Sequence, residues 1–288
     1  MYLIFKKNIF FSVACIFISL FFLNFDIQTH LYFFLTITAI LIFGLPHGAY
    51  DIFLISNFFK GSKSKIIFII YLLSFSFTIF FWILLPNLIF ILFILYSAFH
   101  FGDSDWPEQY FFEKILWGFS IICIPIFFQT EEIKNLFDLF LNIEFNKSFI
   151  LILKSITPLI LCLNFFITKN KIEKIYLLIL YSLICHLSFG LLGFTLYFIL
   201  VHSIRHLSLW QQRLKIKNFN LLSIIAIAIF FIILFFSYFY QIYFSMKISF
   251  NEIYLKNTFI CLSALTVPHM VLIFAANKIY HKHKLSND

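Results

Sequence analysis

An all-α polytopic membrane protein, a bundle of about ten transmembrane helices (range about 8–10), is the fold class this sequence predicts at about 20 residues per crossing. Three observations predict it. The first is composition: of 288 residues, 62% are hydrophobic and only 12% charged, with a mean hydropathy of +0.98. A water-soluble domain carries about 45–50% apolar and about 25% charged residues, so a soluble globular enzyme is excluded. The second is that the apolar residues fall in helix-length runs with short breaks, which leaves no room for a separate soluble domain. Residues 1–288 are therefore read as a single integral-membrane domain. The third is the placement of the cations. A formal charge of +8 and a pI near 9.1 invite a nucleic-acid reading. The lysines and arginines instead cluster between apolar runs, where they orient membrane helices.

The first span, 8–24, follows Lys6 and Lys7 and imitates a signal peptide. Ser12-Val13-Ala14-Cys15 falls inside the apolar run and lacks the leucine of a lipoprotein site, so a membrane helix is the reading. The second span, 31–57, holds Gly44, Pro46 and Gly48, which loosen a helix, and irregular backbone at membrane depth normally lines a cavity. The polar turn Lys60-Gly61-Ser62-Lys63 and the tight break at Pro86-Asn87 bound the next two spans, 65–85 and 87–104. A polar loop from Asp103 to Glu113 leads to 114–129, and an amphipathic connection from Gln129 to Lys147 leads to 149–168. The remaining spans are 174–191, 193–211, 220–242 and 257–277, and no internal repeat is visible.

With the N-terminus inside the cell, fifteen cations fall in the inner loops and only Lys134, Lys147, Lys247 and Lys256 in the outer ones. Lys154 and Arg205 lie within helices, which completes the 21. This bias predicts an inner-membrane protein with both termini cytoplasmic. The cysteines Cys15, Cys123, Cys162, Cys185 and Cys261 are scattered without a CxxC pair, so neither a disulfide framework nor a thiolate metal site is expected.

Ionisable side chains within membrane helices are costly and normally face a cavity, a partner or a metal. His47, His100, His202, His206 and His269 all fall at such positions. They lie roughly 14–24 Å from the outer ends of their helices at about 1.5 Å per residue. Histidines from four spans thus share one slab of the membrane, as a common site requires. His202 and His206, spaced i and i+4, lie on one helix face and suit a single ion. Imidazole binds iron, copper and zinc, and an all-nitrogen set with open positions favours redox-active iron.

Asp51, four residues after His47, is placed to receive an imidazole N–H or to cap a broken helix, supporting a ligand from behind. By position, Asp103 and Asp105 near the inner surface read as solvated. Arg205 points away from His206 toward an aspartate. His30 in an outer loop and His186 near a helix end read as structural, and His281 and His283 in the polar tail carry no functional claim. Phe99, Phe101, Tyr197, Phe198 and Trp210 are candidate tunnel aromatics, or lipid-facing and packing residues in a chain that is 22% aromatic.

The motifs Gly44-Leu45-Pro46-His47-Gly48-Ala49 with Asp51, Ala98-Phe99-His100-Phe101-Gly102 with Asp105, His202-Ser203-Ile204-Arg205-His206, and Pro268-His269-Met270 resemble, in this order, the Brp/Blh family of microbial membrane proteins. The resemblance runs from about residue 40 to 275. It implies a β-carotene 15,15′-dioxygenase that uses O2 to make retinal for a microbial rhodopsin, with Fe(2+) held by His47, His100, His202 and His206. It further implies His269 as a ligand or pocket residue, and Asp51, Arg205 and Asp105 as supports of the ligands. Tyr50 stands where a smaller aliphatic residue is expected, which touches the pocket rather than the iron.

An intramembrane site suits a substrate dissolved in the bilayer. Three rival readings remain beside this one. A membrane desaturase or hydroxylase would need about eight ligands including HxxHH boxes, and one HxxxH is present. A bis-histidine haem protein would need histidines facing each other rather than side by side. A metal or proton transporter also lines its route with buried histidines.

Overall fold

The computed structural model describes residues 8–22, 29–49, 51–141, 147–167, 171–214 and 250–285, with a few isolated positions between 228 and 239. Among the described residues all regular structure is helical. The helices are α1 (Ile9–Phe22), α2 (Thr29–Ala49), α3 (Asp51–Phe58), α4 (Ser62–Leu84), α5 (Pro86–Asp105), α6 (Phe111–Phe128), α7 (Thr130–Leu141), α8 (Lys147–Ile167), α9 (Lys171–Leu187), α10 (Gly190–Tyr197), a π-helical segment (Phe198–Ser203), α11 (Ile204–Leu214) and α12 (Phe250–Leu285).

Among the described residues six stretches are long and apolar enough to cross a membrane: Ser62–Leu84, Pro86–Asp105, Phe111–Phe128, Lys147–Ile167, Gly190–Leu214 and Tyr254–Tyr280. Their outward faces carry what water would reject, with Ile83 74% and Phe166 66% exposed. The expected span at 220–242 lies outside the described residues. Two details differ from the sequence reading. Gly44, Pro46 and Gly48 do not interrupt α2, which continues to Ala49. The amphipathic connection after Gln129 forms a helix of its own, α7, because Ile133, Leu136, Phe137, Phe140 and Leu141 fall on one face and are buried together.

The chain divides into two compact units. The first takes residues 1–40 and 91–206. Its core gathers Phe11 and Cys15 of α1, Trp117, Ile121 and Ile124 of α6, and Leu177, Tyr181 and Ile184 of α9 around Tyr197 and Val201. Two glycines set the approach of α5 to α6. A Cβ on Gly102 would sit 2.8 Å from Lys114 Cα, and one on Gly118 would sit 2.9 Å from Ala98 Cα. Only a residue without a side chain permits that contact.

In the same unit Glu132 of α7 holds the start of α10. Its carboxylate accepts the N–H groups of Gly190 at 2.6 Å and Leu191 at 3.2 Å, and the Tyr32 hydroxyl at 2.8 Å. Tyr32 in turn accepts the Leu192 N–H at 3.0 Å. Three of the amides that a helix start leaves without intrahelical partners are thereby satisfied.

The second unit takes residues 41–90 and 207–288. Here α12 packs against α3 and α4 around Leu54, Ile55, Trp210, Leu272, Ile273 and Ala276. Trp82 donates to Ser263 at 2.6 Å, which fixes α4 against α12 inside an otherwise apolar contact. The left-handed turn into α4 falls on Gly61, with φ of 63°, a conformation that glycine adopts without a Cβ penalty.

Candidate active site

Three of the expected histidines lie together in the first unit. His100 comes from α5, His202 from the π-helical segment and His206 from the first turn of α11. Their ring centres are 5.1 Å apart for His100 and His202, 6.1 Å for His100 and His206, and 6.3 Å for His202 and His206. All three residues are buried, His202 at 1% exposure. The i,i+4 pair has its rings stacked at 26°, but His202 lies in a π-helical segment rather than in a regular α-helix. Such insertions re-aim a side chain and recur at functional sites.

Each of the two helical neighbours is gripped from behind. His202 Nδ1 lies 2.7 Å from Asp105 Oδ1. The other Asp105 oxygen accepts the Trp117 indole N–H at 3.0 Å and the Tyr197 hydroxyl. A carboxylate that only accepts makes Nδ1 the donor and leaves the lone pair of His202 on Nε2. His206 Nδ1 is 2.8 Å from the Ser104 hydroxyl. Nε2 of both rings is fully buried. The walls are aromatic: Phe101 stands 4.7 Å from the His202 ring and Phe198 stacks on it at 5.6 Å.

Asp105 therefore departs from the solvated reading, being 6% exposed; α5 carries it inward beside Trp117. Asp103 faces outward enough to pair with Lys114 at 2.6 Å. Arg205 turns away from His206 as expected, but its partners are Glu173 at 2.6 Å and Asn8 at 3.0 Å rather than an aspartate. Its guanidinium also lies 5.0 Å from the Trp106 ring. Lys174, read from sequence as an inner-loop cation, is 1% exposed between Trp106 and Trp117, with Glu113 at 3.7 Å.

His269 and Asp51 belong to the second unit, and they face each other. His269 Nδ1 is 2.7 Å from Asp51 Oδ1, and Tyr71 donates to Asp51 Oδ2 at 2.7 Å. Both are buried, Asp51 at 2% and His269 at 4%. His47 lies in the last turn of α2, and its side chain falls outside the described residues. His30 lies in the first turn of α2 rather than in a loop. Of the candidate aromatics, Phe101 and Phe198 touch His202, Tyr197 binds Asp105, Phe99 packs on Phe111, and Trp210 sits in the core of the second unit. The five cysteines are free thiols. Among the described residues no three His, Cys, Asp or Glu side chains are assembled closely enough to hold a metal ion.

Sequence reasoning missed Ser104, Trp117 and Tyr71. Ser104 lies inside the His100 motif and was within reach of a spacing argument. Tyr71 and Trp117 are each one aromatic among several in an apolar helix, with no local signal.

Among the described residues, fold and site together define a helical protein with membrane-type spans that buries several histidines, two of them, His202 and His269, facing carboxylates. The family model described as beta-carotene 15,15′-dioxygenase matches residues 38–275, and the chain belongs to that family. A curated relative named beta-carotene 15,15′-dioxygenase, from the uncultured marine bacterium 66A03, is 29% identical over 255 residues, covering 82% of this chain and 90% of the relative. No solved structure matches the chain. The family is the one that the histidine motifs resemble.

Proposed function

We propose that this protein cleaves β-carotene oxidatively at the central 15,15′ double bond with O2, giving two molecules of retinal, and that it does so within the membrane. Family membership over residues 38–275 carries the activity. The observation that supports the site is the buried three-ring cluster of His100, His202 and His206.

The donors suit Fe(2+). Imidazole nitrogen suits iron, and with Nδ1 of His202 engaged by Asp105 and Nδ1 of His206 by Ser104, Nε2 is the atom each ring would present. His100, His202 and His206 would hold the iron, with His47 as the further ligand that the family motif assigns. When bound, the iron supplies O2 activation. The protein's own part is holding and positioning. Asp105 fixes the tautomer and direction of His202, and Ser104 holds His206. Phe101 and Phe198 present an apolar wall to a polyene and exclude water. Bringing one double bond to a fixed place is mainly a positioning task, and positioning alone can supply about 7–11 kcal/mol of a barrier.

The accompanying topology is ten crossings of the cell membrane with both termini cytoplasmic. The fifteen-to-four distribution of loop cations supports it. β-Carotene then enters from the bilayer, and retinal leaves into it, available to a microbial rhodopsin. Expression in bacteria that accumulate β-carotene tests the activity. Retinal, or retinol after reduction by the host, should appear as carotene falls. Long apocarotenals with short ketones would mean eccentric cleavage. Unchanged carotene beside an iron-loaded protein would favour a hydroxylase-like oxygenase or a metal or proton transporter.

A further inference from the structure

His206 and His202 are the inner half of a longer row. Phe198 and Phe194 continue it along the same chain at steps of four residues. From His206 to Phe194 the neighbouring ring centres are 6.3, 5.6 and 6.0 Å apart, and the successive planes differ by only 26°, 23° and 12°. Phe101 of α5 stands crosswise to the row, 4.7 Å from His202, 6.3 Å from Phe198 and 5.8 Å from Phe194, at 68°, 87° and 89°. Burial falls along the row: His206 and His202 are buried, Phe198 and Phe194 only half-buried. All five rings belong to the first unit. We propose that Phe198 and Phe194 form a subsite for one arm of a carotenoid polyene, leading from the apolar surroundings to the buried histidines, and that Phe194 at its outer end is a specificity-determining residue. The inference rests on the reading of this protein as a β-carotene-cleaving enzyme and says where its substrate lies.

Aromatic residues at helical spacing normally serve packing, and three features set this row apart. The first is its straightness. In a regular α-helix each step of four residues overshoots a full turn by about 40°, so four such rings would wind about a third of the way round. A π turn holds more residues, so the segment Phe198–Ser203 turns the row back and the rings keep one orientation. The second is its length. Phe194 lies eight residues from His202, about 12 Å at about 1.5 Å per residue, which a long rigid chain can follow and a compact molecule cannot. A polyene too short to reach the end of the row leaves Phe194 without contact, which makes that ring a gauge of arm length. The third is the kind of side chain. A carotene dissolved in lipid gains nothing by leaving water, since lipid tails are as apolar as leucine. A site within a membrane must therefore select it by close contact, and a conjugated chain is flat, as the rings are.

The test uses the purified full-length, iron-loaded protein in lipid nanodiscs, kept free of O2 so that no carotene is consumed. β-Carotene is titrated in and followed by induced circular dichroism in its visible band, a signal that an achiral polyene acquires only when held in one twisted geometry. Phe194→Leu and Phe198→Leu keep apolar bulk and remove the flat ring. Each should weaken binding about tenfold, near the upper end of what one aromatic contact is worth. Phe194→Tyr, which keeps the ring, should bind as wild type does. So should Phe166→Leu, which removes a ring from the outward face of α8. A symmetric polyene dialdehyde shortened at both ends should respond to Phe198→Leu and not to Phe194→Leu. Iron content should be unchanged in all four variants. Wild-type β-carotene affinity in Phe194→Leu and Phe198→Leu, or in Phe198→Leu alone should the other fail to fold, would overturn the inference while leaving the cleavage reading standing. Retinal formation by a wild type that shows no induced signal would overturn it as well. A wild-type protein that neither binds nor cleaves β-carotene would instead overturn the reading on which the inference rests.

Discussion

Gly118→Ala places one methyl group where the structure has no room for it, and its consequences separate stability from catalysis. The added Cβ would lie 2.9 Å from Ala98 Cα and nearer still to the Ala98 carbonyl. Carbon atoms rest at about 3.5–4.0 Å, so α5 must retreat from α6 by about 1 Å or more. Overpacking of this kind costs about 1–3 kcal/mol. Replacing glycine by alanine within a helix returns about 1 kcal/mol, which leaves a net loss of zero to about 2 kcal/mol. For a chain of this size that lowers the melting temperature by only a few degrees, at about 2–4 °C per kcal/mol. Catalysis should suffer more. Ala98 is two residues from His100 and seven from Asp105, so the movement is delivered to the histidine cluster. A misplacement of about 1 Å can cost about 100-fold in rate. Thermal unfolding in detergent, read beside retinal formation by the same preparation, measures both. Unchanged melting temperature and unchanged turnover would refute the close approach and the reasoning built on it.

Four other outcomes follow from the same geometry. Asp105→Asn should weaken iron binding and lower turnover by about 10–100-fold, since His202 loses the partner that sets its tautomer; iron content and retinal yield check it. Asp51→Ala should lower activity on a similar scale while part of the iron is retained, and unchanged turnover and metal content would return Asp51 to a purely structural role. Burial pushes the Glu132 carboxyl above its ordinary value of 4.5, against the pull of hydrogen bonds from Gly190, Tyr32 and Leu191. The folded state therefore holds that proton more tightly than the unfolded chain, and stability contributed below pH 4.5 is lost as pH rises through the folded pKa. The melting temperature of the wild type relative to Glu132→Gln should fall over that window, and a constant difference would contradict it. Labelling of single cysteines placed at residues 62 and 213 should show both on the cytoplasmic side, and an outside location of either would overturn the topology.

Much of the fold was legible because apolar runs of helix length and their polar breaks are local properties of a sequence. The spans at 65–85, 87–104 and 114–129 agree with α4, α5 and α6 to within a few residues. The histidine pair was legible for the same reason, since i,i+4 spacing guarantees a shared face. What lay beyond reach depends on tertiary contact. Nothing near Tyr71 announces Asp51, twenty residues away, and nothing near Asp51 announces His269 at a separation of 218. Lys174 reads as one cation among several near a helix start, yet packing between two indoles removes it from water. The π turn at His202 was equally silent, since no residue type in Phe198–Ser203 demands it.

The proposed activity requires the buried histidines to hold the iron with which carotene is cleaved. The most direct measurement takes purified, iron-loaded wild type and the His202→Ala, His206→Ala double variant, and follows β-carotene and retinal by chromatography while bound iron is assayed in the same samples. Wild type should hold about one iron per chain and yield up to about two retinal molecules per β-carotene lost, and the double variant should lose both iron and retinal. Full turnover in a double variant that has no histidine left at either position would contradict it.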